Sequence, residues 1–142
     1  QICFCCIGDP YRDSMPGNLR CLGAVKNETF MPLVYNSADA TCVFSDEDNL
    51  PNIILESMAC GVPVIGVPNG GIQEHLTNKT GISLSSNSIE HIANSIKAFC
   101  NGDYSFSKDS IRDYAEKYFS LQGQAVKYMN QYRALMSAHV VM

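Results

Sequence analysis

Two carboxylates, Asp48 and Glu56, stand out by type and spacing as side chains that could contact a ligand. Asp48 precedes a predicted helix and Glu56 lies inside it, so a rise of about 1.5 Å per residue separates them by roughly 10 Å along one wall. The helix amino terminus between them offers free N–H groups and partial positive charge, which favour a phosphate. An extended molecule with hydroxyls at both ends and phosphate in the middle, such as a nucleotide sugar, would match this spacing. Acidic residues around a helix start also serve as capping and solubility devices, and the residues alone leave both interpretations open.

A strand, a helix and a second strand must position these carboxylates. Residues 40–44 and 62–67 are short apolar runs next to turn residues, which is typical of buried strands. Between them, apolar residues recur at helical spacing over residues 54–59. We expect Asn49 to cap this helix and Pro51 to occupy its first turn, where a missing N–H costs nothing.

Strand, helix and strand at this spacing predict a right-handed crossover in a parallel sheet. Ligands of such sheets bind at the carboxyl ends of the strands. Two loops follow these ends, an acidic loop (residues 46–49) and a glycine loop (residues 69–71). The predicted fold is α/β, a Rossmann-like parallel sheet flanked by helices with a helical C-terminal segment, and the predicted site lies on the two loops.

An ordered motif runs through both loops: Asp48-Asn49-Leu50-Pro51-Asn52, then Glu56, residues 58–65 and residues 70–74. This motif resembles the donor-binding signature of retaining glycosyltransferases with the GT-B fold, of glycosyltransferase family 4 (group 1 type). The resemblance extends over most of the chain. Residues 22–25 resemble a strand of that family, residues 33–39 its short helix before the signature, and the long helix after Ser120 its closing segment.

The resemblance implies a role for each carboxylate. Glu56 matches the residue that hydrogen-bonds the ribose hydroxyls. Asp48 matches the catalytic acidic residue near the transferred sugar, which is usually Glu, so its reach is shorter here. Asn49 stands where the family usually has Gly, which leaves the backbone less freedom near the ligand.

The resemblance also implies further donor contacts. Backbone amides of the acidic loop and the helix start would contact sugar and phosphate, at Asn49, Leu50 and Asn52. Val25 would lie beside the nucleobase. A second tier of candidates follows the second strand: Gly70, Gly71 and Glu74.

The implied reaction is transfer of a sugar from a nucleoside diphosphate sugar to a hydroxyl acceptor, with retention of configuration and without a metal or other cofactor. The acceptor would be a glycan, a lipid or a small molecule bound by an amino-terminal domain that this chain lacks. We expect residues 1–142 to form one donor-binding domain, truncated at its amino terminus and inactive alone. A nucleotide-sugar epimerase of the same fold and a non-catalytic nucleotide-sugar-binding or partner module remain as alternatives.

Composition narrows the class of protein further. A length of 142 residues with 46% hydrophobic and 17% charged residues suits one globular domain. A net charge of −4 argues against nucleic acid as a partner, because nucleic acid binding needs clustered Lys and Arg. No apolar run is long enough to span a bilayer. We expect a cytoplasmic protein, with peripheral association at the membrane face as a further possibility for the full-length form.

Other nucleotide and metal sites are disfavoured by the motifs. No G-x-G-x-x-G follows a strand and no Walker glycine-Lys motif occurs, which disfavours a dinucleotide or P-loop site. The seven cysteines do not form paired C-x-x-C spacings, which disfavours zinc. We expect the cysteines to be small buried hydrophobes in a reducing cytosol.

Three helices are predicted after the second loop. We expect Asn87 with Glu90, Ser107 and Ser120 to mark their starts. Each helix carries an apolar stripe that predicts a packing face, and part of the stripe on the last helix is expected to be exposed.

Overall fold

A computed structural model describes residues 2–8, 16–45 and 48–139. The predicted acidic residues at positions 46 and 47 lie outside the described residues. The architecture is α/β with parallel sheets flanked by helices and a helical C-terminal segment, so the predicted fold class is confirmed.

Five short strands in the described part of the chain form two parallel sheets. The strands are β1 (Phe4–Cys6), β2 (Leu19–Cys21), β3 (Thr41–Val43), β4 (Val64–Gly66) and β5 (Gly81–Ser83). β1 pairs with β2, whereas β3, β4 and β5 form a second sheet with β4 at its centre. The β3–β4 register, Thr41 opposite Val64, brings the carboxyl ends of both strands to one edge.

Helices connect and cover the strands. A 3-10 turn (Glu28–Phe30) leads into the first of them. The α-helices are α1 (Met31–Asn36), α2 (Asn52–Ala59), α3 (Ile72–His75), α4 (Ile89–Cys100), α5 (Lys108–Phe119) and α6 (Leu121–His139). The predicted strand–helix–strand unit is therefore β3–α2–β4.

The core lies on both faces of the three-stranded sheet, because successive strand residues point to opposite faces. On one face Val64 packs with Ile54 and Met58 of α2 and with Ile111 of α5, all fully buried. On the other face Ile65 and Ile82 pack under α4. Burial on both faces explains the continuous apolar run through residues 62–67.

Several local predictions are wrong by a few residues. A strand is expected at residues 22–25, but these residues lie outside any described strand. The nearest strand is β2, Leu19–Cys21. Ser88, not Asn87, caps α4, and its side chain accepts a hydrogen bond from the N–H of His91. Ile89, the first residue of α4, is 86% exposed, so the packing face of this helix does not begin there. Ser107 caps α5 as predicted.

The last helix leaves its apolar stripe largely in solvent. α6 packs against α5. Its exposed apolar side chains are Leu121, Val126, Tyr128, Met129, Tyr132, Leu135 and Met136. The expectation that part of this stripe is exposed therefore holds for most of it.

The cysteines do not behave as predicted. Cys6 and Cys21 form a disulfide, and Cys3, Cys5, Cys42 and Cys100 are exposed. The parallel register of β1 and β2 places Cys6 opposite Cys21 with a Cα–Cα distance of 4.8 Å, within the range that a disulfide spans. The expectation of seven buried free thiols is therefore wrong, because the pairing depends on a strand register that cysteine spacing alone does not reveal.

None of the described helices is long and apolar enough to cross a membrane.

Candidate functional site

Asp48 and Asn49, the described part of the acidic loop, touch the glycine loop at the carboxyl edge of β3 and β4. The N–H of Gly71 donates a hydrogen bond to the carbonyl oxygen of Asn49. The side-chain amide of Asn69 donates to the carbonyl oxygen of Ser45 over 3.3 Å. Two candidate segments that are separate in the sequence thus form one surface, at the edge where parallel sheets bind ligands.

Gly70 and Gly71 allow this close contact. A Cβ atom on Gly70 would collide with the carbonyl oxygen of Asp48, and one on Gly71 would collide with that of Asn49. Gly70 also has a φ of +55°, in the left-handed region that other residues rarely adopt. Because neither glycine has a side chain, both can lie directly against the backbone of Asp48 and Asn49.

The amino terminus of α2 keeps N–H groups available. Pro51 is its N-cap and no side chain caps the helix, so the prediction that Asn49 is the cap is wrong. Asn49 lies two residues before the N-cap and its carbonyl is held by Gly71. Among the described residues, the N–H groups of Asn49, Leu50 and Asn52 have no hydrogen-bond partner. Such groups at a helix start can donate to a phosphate.

Glu56 lies on the exposed side of α2 and is held by a residue that the sequence did not single out. Its Oε2 accepts a hydrogen bond from the hydroxyl of Tyr35 over 2.8 Å. Tyr35, on α1, is only 5% exposed. Burial, followed by the hydrogen bond and the charge of Glu56, raises the pKa of the Tyr35 hydroxyl, which therefore stays protonated and donates. In the sequence, the only signal for this hydrogen bond is the presence of a tyrosine in the short helix before β3.

The remaining candidate residues differ in how far along the chain they lie from the contact between the two loops. Asp48 is half-buried in the loop before α2, three residues before the N-cap. Glu74 is exposed on α3, which follows the glycine loop. Val25 is half-buried in the segment that leads from β2 to α1. The structure thus joins Asp48, Asn49 and the two glycines directly, whereas Val25 belongs to a different segment.

The part of the chain that the structure describes gives less evidence for a site elsewhere. It contains no group of three or more His, Cys, Asp or Glu side chains that could hold a metal ion. A cavity of about 380 Å³ lies elsewhere, lined by Leu76, Tyr104 and Phe106 among others, and includes none of the predicted site residues. The two touching loops remain the best candidate.

His75 follows the glycine loop and packs rather than facing solvent. Its Nδ1 lies 3.2 Å from the hydroxyl of Tyr114, and its ring meets Phe119 edge-on at 4.6 Å. Burial lowers the pKa of His75, which favours the neutral imidazole. These contacts place His75 in the packing between α3 and α5.

Solved structures of glycosyltransferases share this fold. A glycosyltransferase from Rickettsia africae matches with a TM-score of 0.73 and 18% identity over 96% of this chain and 40% of its own. Sucrose-phosphate synthase from Thermosynechococcus elongatus matches with a TM-score of 0.69 and 21% identity over 85% of this chain and 31% of its own. Anabaena HepE, solved in complex with UDP and glucose, matches with a TM-score of 0.67 and 18% identity over 81% of this chain and 32% of its own.

These similarities show the fold, and this chain spans only 31–40% of the length of these three structures. A search of curated protein sequences found no match. The family profile described as "Glycosyl transferases group 1" matches residues 2–101, which include β3, α2, β4 and both loops. The chain therefore belongs to the glycosyl transferases group 1 family.

Proposed function

We propose that this chain is the donor-binding part of a retaining glycosyltransferase, which transfers a sugar from a nucleoside diphosphate sugar to a hydroxyl acceptor. The observation that carries the proposal is the contact between the acidic loop and the glycine loop beside the uncapped start of α2. Family membership makes this site the natural place for the donor. Asp48, the N–H groups at the start of α2 and Glu56 follow one another along the chain. A nucleotide sugar presents its sugar, diphosphate and ribose in the same order.

In this proposal the diphosphate lies at the start of α2. The N–H groups of Asn49, Leu50 and Asn52 donate to its oxygens and to the sugar, since they have no partner among the described residues. The partial positive charge of the helix start adds to this attraction. Val25 contacts the nucleobase from the segment before α1, and Glu74 borders the glycine loop.

Asp48 is the proposed catalytic residue. Its carboxylate accepts hydrogen bonds from hydroxyls of the transferred sugar. Because positive charge develops on the anomeric carbon as the bond to the leaving diphosphate breaks, a nearby carboxylate also stabilises the transition state. Asp is one methylene shorter than Glu, so the contact between Gly70 and the backbone of Asp48 must hold the loop close to the sugar.

Glu56 is the proposed ribose ligand. It is exposed on α2, after the helix start, and its Oε1 has no hydrogen-bond partner among the described residues. Ribose hydroxyls donating to a carboxylate form charge-assisted hydrogen bonds, each contributing about 1.5–3 kcal/mol. HepE was solved with UDP and with UDP-glucose, so uridine nucleotides are the first probes.

The remaining parts of the proposal concern the whole protein. Residues 1–142 form one donor-binding domain, and a glycan, lipid or small-molecule acceptor binds to another domain. Transfer needs no metal, and the protein works in the cytoplasm or at the cytoplasmic membrane face. Activity that is unchanged by EDTA would support metal independence, and its loss would contradict it.

The decisive experiment is calorimetric titration of the full-length protein with UDP, GDP and their sugar conjugates. Glu56→Gln should weaken binding of the preferred nucleotide about tenfold, because one charge-assisted hydrogen bond is weakened. Glu116→Gln, at an exposed position on α5, is the matched control and should leave affinity unchanged. Equal affinities for the two variants would refute the role of Glu56.

Product analysis tests the reaction itself. Transfer with the donor's anomeric configuration retained is the expected result by NMR. An inverted product contradicts retention, and an isomerised donor without transfer identifies an epimerase instead.

A further inference from the structure

The carboxylate of Glu56 is anchored by a side chain from a different helix. Tyr35 on α1 and Glu56 on α2 are 21 residues apart, and their hydrogen bond of 2.8 Å joins the two helices beside the site. Among the described residues, this hydroxyl is the only hydrogen-bond donor to the Glu56 carboxylate. Tyr35 is therefore the group best placed to control where that carboxylate points.

An exposed glutamate needs such an anchor to bind a ligand well. A free Glu side chain samples several rotamers, and ordering it on binding lowers the affinity unless the side chain is already held. Tyr35 is buried and its ring is fixed, so its hydroxyl is a rigid partner. The bond occupies Oε2 and leaves Oε1 for a ligand.

We propose that Tyr35 is a positioning residue, whose hydroxyl holds Glu56 in the rotamer that receives the ribose hydroxyls and so favours ribonucleotides over 2′-deoxyribonucleotides. This inference rests on the proposed function. Tyr35 is buried, and the hydrogen bond to Glu56 is the contact through which it acts on the site.

The alternative is that Tyr35 only fills space between α1 and α2. The two roles separate because Tyr35→Phe keeps the ring and removes only the hydroxyl. A packing role depends on the ring and affects all nucleotides alike. A positioning role depends on the Tyr35 hydroxyl, so its loss reduces only the affinity that the ribose 2′-hydroxyl contributes.

The test measures, in the full-length protein, the affinity ratio between UDP, GDP or ADP and its 2′-deoxy counterpart. Glu56→Ala should lower this ratio about tenfold or more, since the receiving carboxylate is gone. Tyr35→Phe should lower it about threefold to tenfold, since the carboxylate stays but is no longer held. In the Glu56→Ala background, Tyr35→Phe should cause no further decrease. Tyr104→Phe, a tyrosine whose hydroxyl makes no hydrogen bond within the described residues, is the control.

A second measurement needs no variant. The ¹³Cζ resonance of Tyr35 in the wild-type protein should shift when UDP binds and shift less when 2′-deoxy-UDP binds, because only the former reaches Glu56 through its 2′-hydroxyl. Equal shifts with both nucleotides would overturn the inference even if Tyr35→Phe failed to fold.

The outcomes distinguish the inference from the proposed function. A ratio that falls in Glu56→Ala but not in Tyr35→Phe overturns the positioning role alone, as does a Tyr35→Phe effect that is equal for ribose and deoxyribose. A ratio unchanged in Glu56→Ala, or a wild-type protein that binds none of these nucleotides, overturns the ribose role of Glu56 and this inference with it.

Discussion

Gly71→Ala tests whether the contact between the two loops builds the site. Gly71 has a φ of −72° and a ψ of −10°, which alanine adopts without strain. The added methyl, however, would collide with the carbonyl oxygen of Asn49 and lie 3.4 Å from the Cβ of Leu50. The loops must therefore separate, and the hydrogen bond from the Gly71 N–H to Asn49 must lengthen or break.

The cost follows from these contacts. Losing the hydrogen bond costs about 0.5–1.5 kcal/mol. Forcing a methyl into a packed contact costs about 1–3 kcal/mol. Alanine restores about 0.4–1 kcal/mol by restricting the unfolded chain. The net loss in the free energy of unfolding is about 2 kcal/mol, which lowers Tm by roughly 4–8 °C for a domain of this size.

Gly17→Ala is the matched control. Gly17 has no positive φ, and a methyl there would meet no atom of the described residues within 4 Å. We expect its free energy of unfolding to be unchanged or slightly higher than wild type. Both variants are compared by urea unfolding, with nucleotide titration of the full-length protein as the second readout. Equal stability of the two variants, or nucleotide affinity in Gly71→Ala at the control level, would refute the claim that this contact holds the site together.

Gly70→Ala and Gly102→Ala extend the comparison. Both glycines have positive φ, +55° and +85°, so both variants pay about 1–2 kcal/mol for a left-handed alanine. A Cβ at Gly70 would meet the carbonyl oxygen of Asp48, whereas a Cβ at Gly102 would meet no described atom within 4 Å. The difference between their unfolding free energies therefore isolates the loop contact, and no difference would contradict it.

Two further predictions concern stability. Met58→Ala, at a fully buried position of α2, should lower the free energy of unfolding by about 2–5 kcal/mol in urea melts. Leu33→Ala, at a 63% exposed position, is the control and should change it by less than about 0.5 kcal/mol. Similar losses for both variants would contradict the assigned core. Because burial lowers the pKa of His75 below its ordinary value of 6.5, the unfolded chain binds the proton more readily. Stability should therefore be full above pH 6.5 and decrease as pH falls through the folded-state pKa, with the decrease smaller in His75→Gln; a greater stability at low pH would have the wrong sign.

Local sequence patterns were sufficient to predict the central unit of the fold. β3, α2 and β4 are recognisable because the apolar residues of α2 recur at helical spacing, whereas those of β3 and β4 form short continuous runs. The order of these elements also predicted where the two candidate loops meet. Cap positions were less predictable, as Asn49 and Asn87 illustrate, because several adjacent polar residues can serve and packing selects among them.

Contacts between distant segments required the tertiary structure. The Cys6–Cys21 disulfide depends on the register of two parallel strands, and the exposure of the α6 stripe depends on which surface meets α5. The hydrogen bond from Tyr35 to Glu56 depends on how α1 packs beside α2.

The sequence by itself determined the class of fold and the residue types at the candidate site, because hydrophobic periodicity and an ordered motif are local properties of the chain. The tertiary structure decided how those residues act together. It placed glycine against the backbone of Asp48 and Asn49 and a buried hydroxyl against Glu56. Such contacts are set by the distance between packed elements, and no spacing along a single chain specifies that distance.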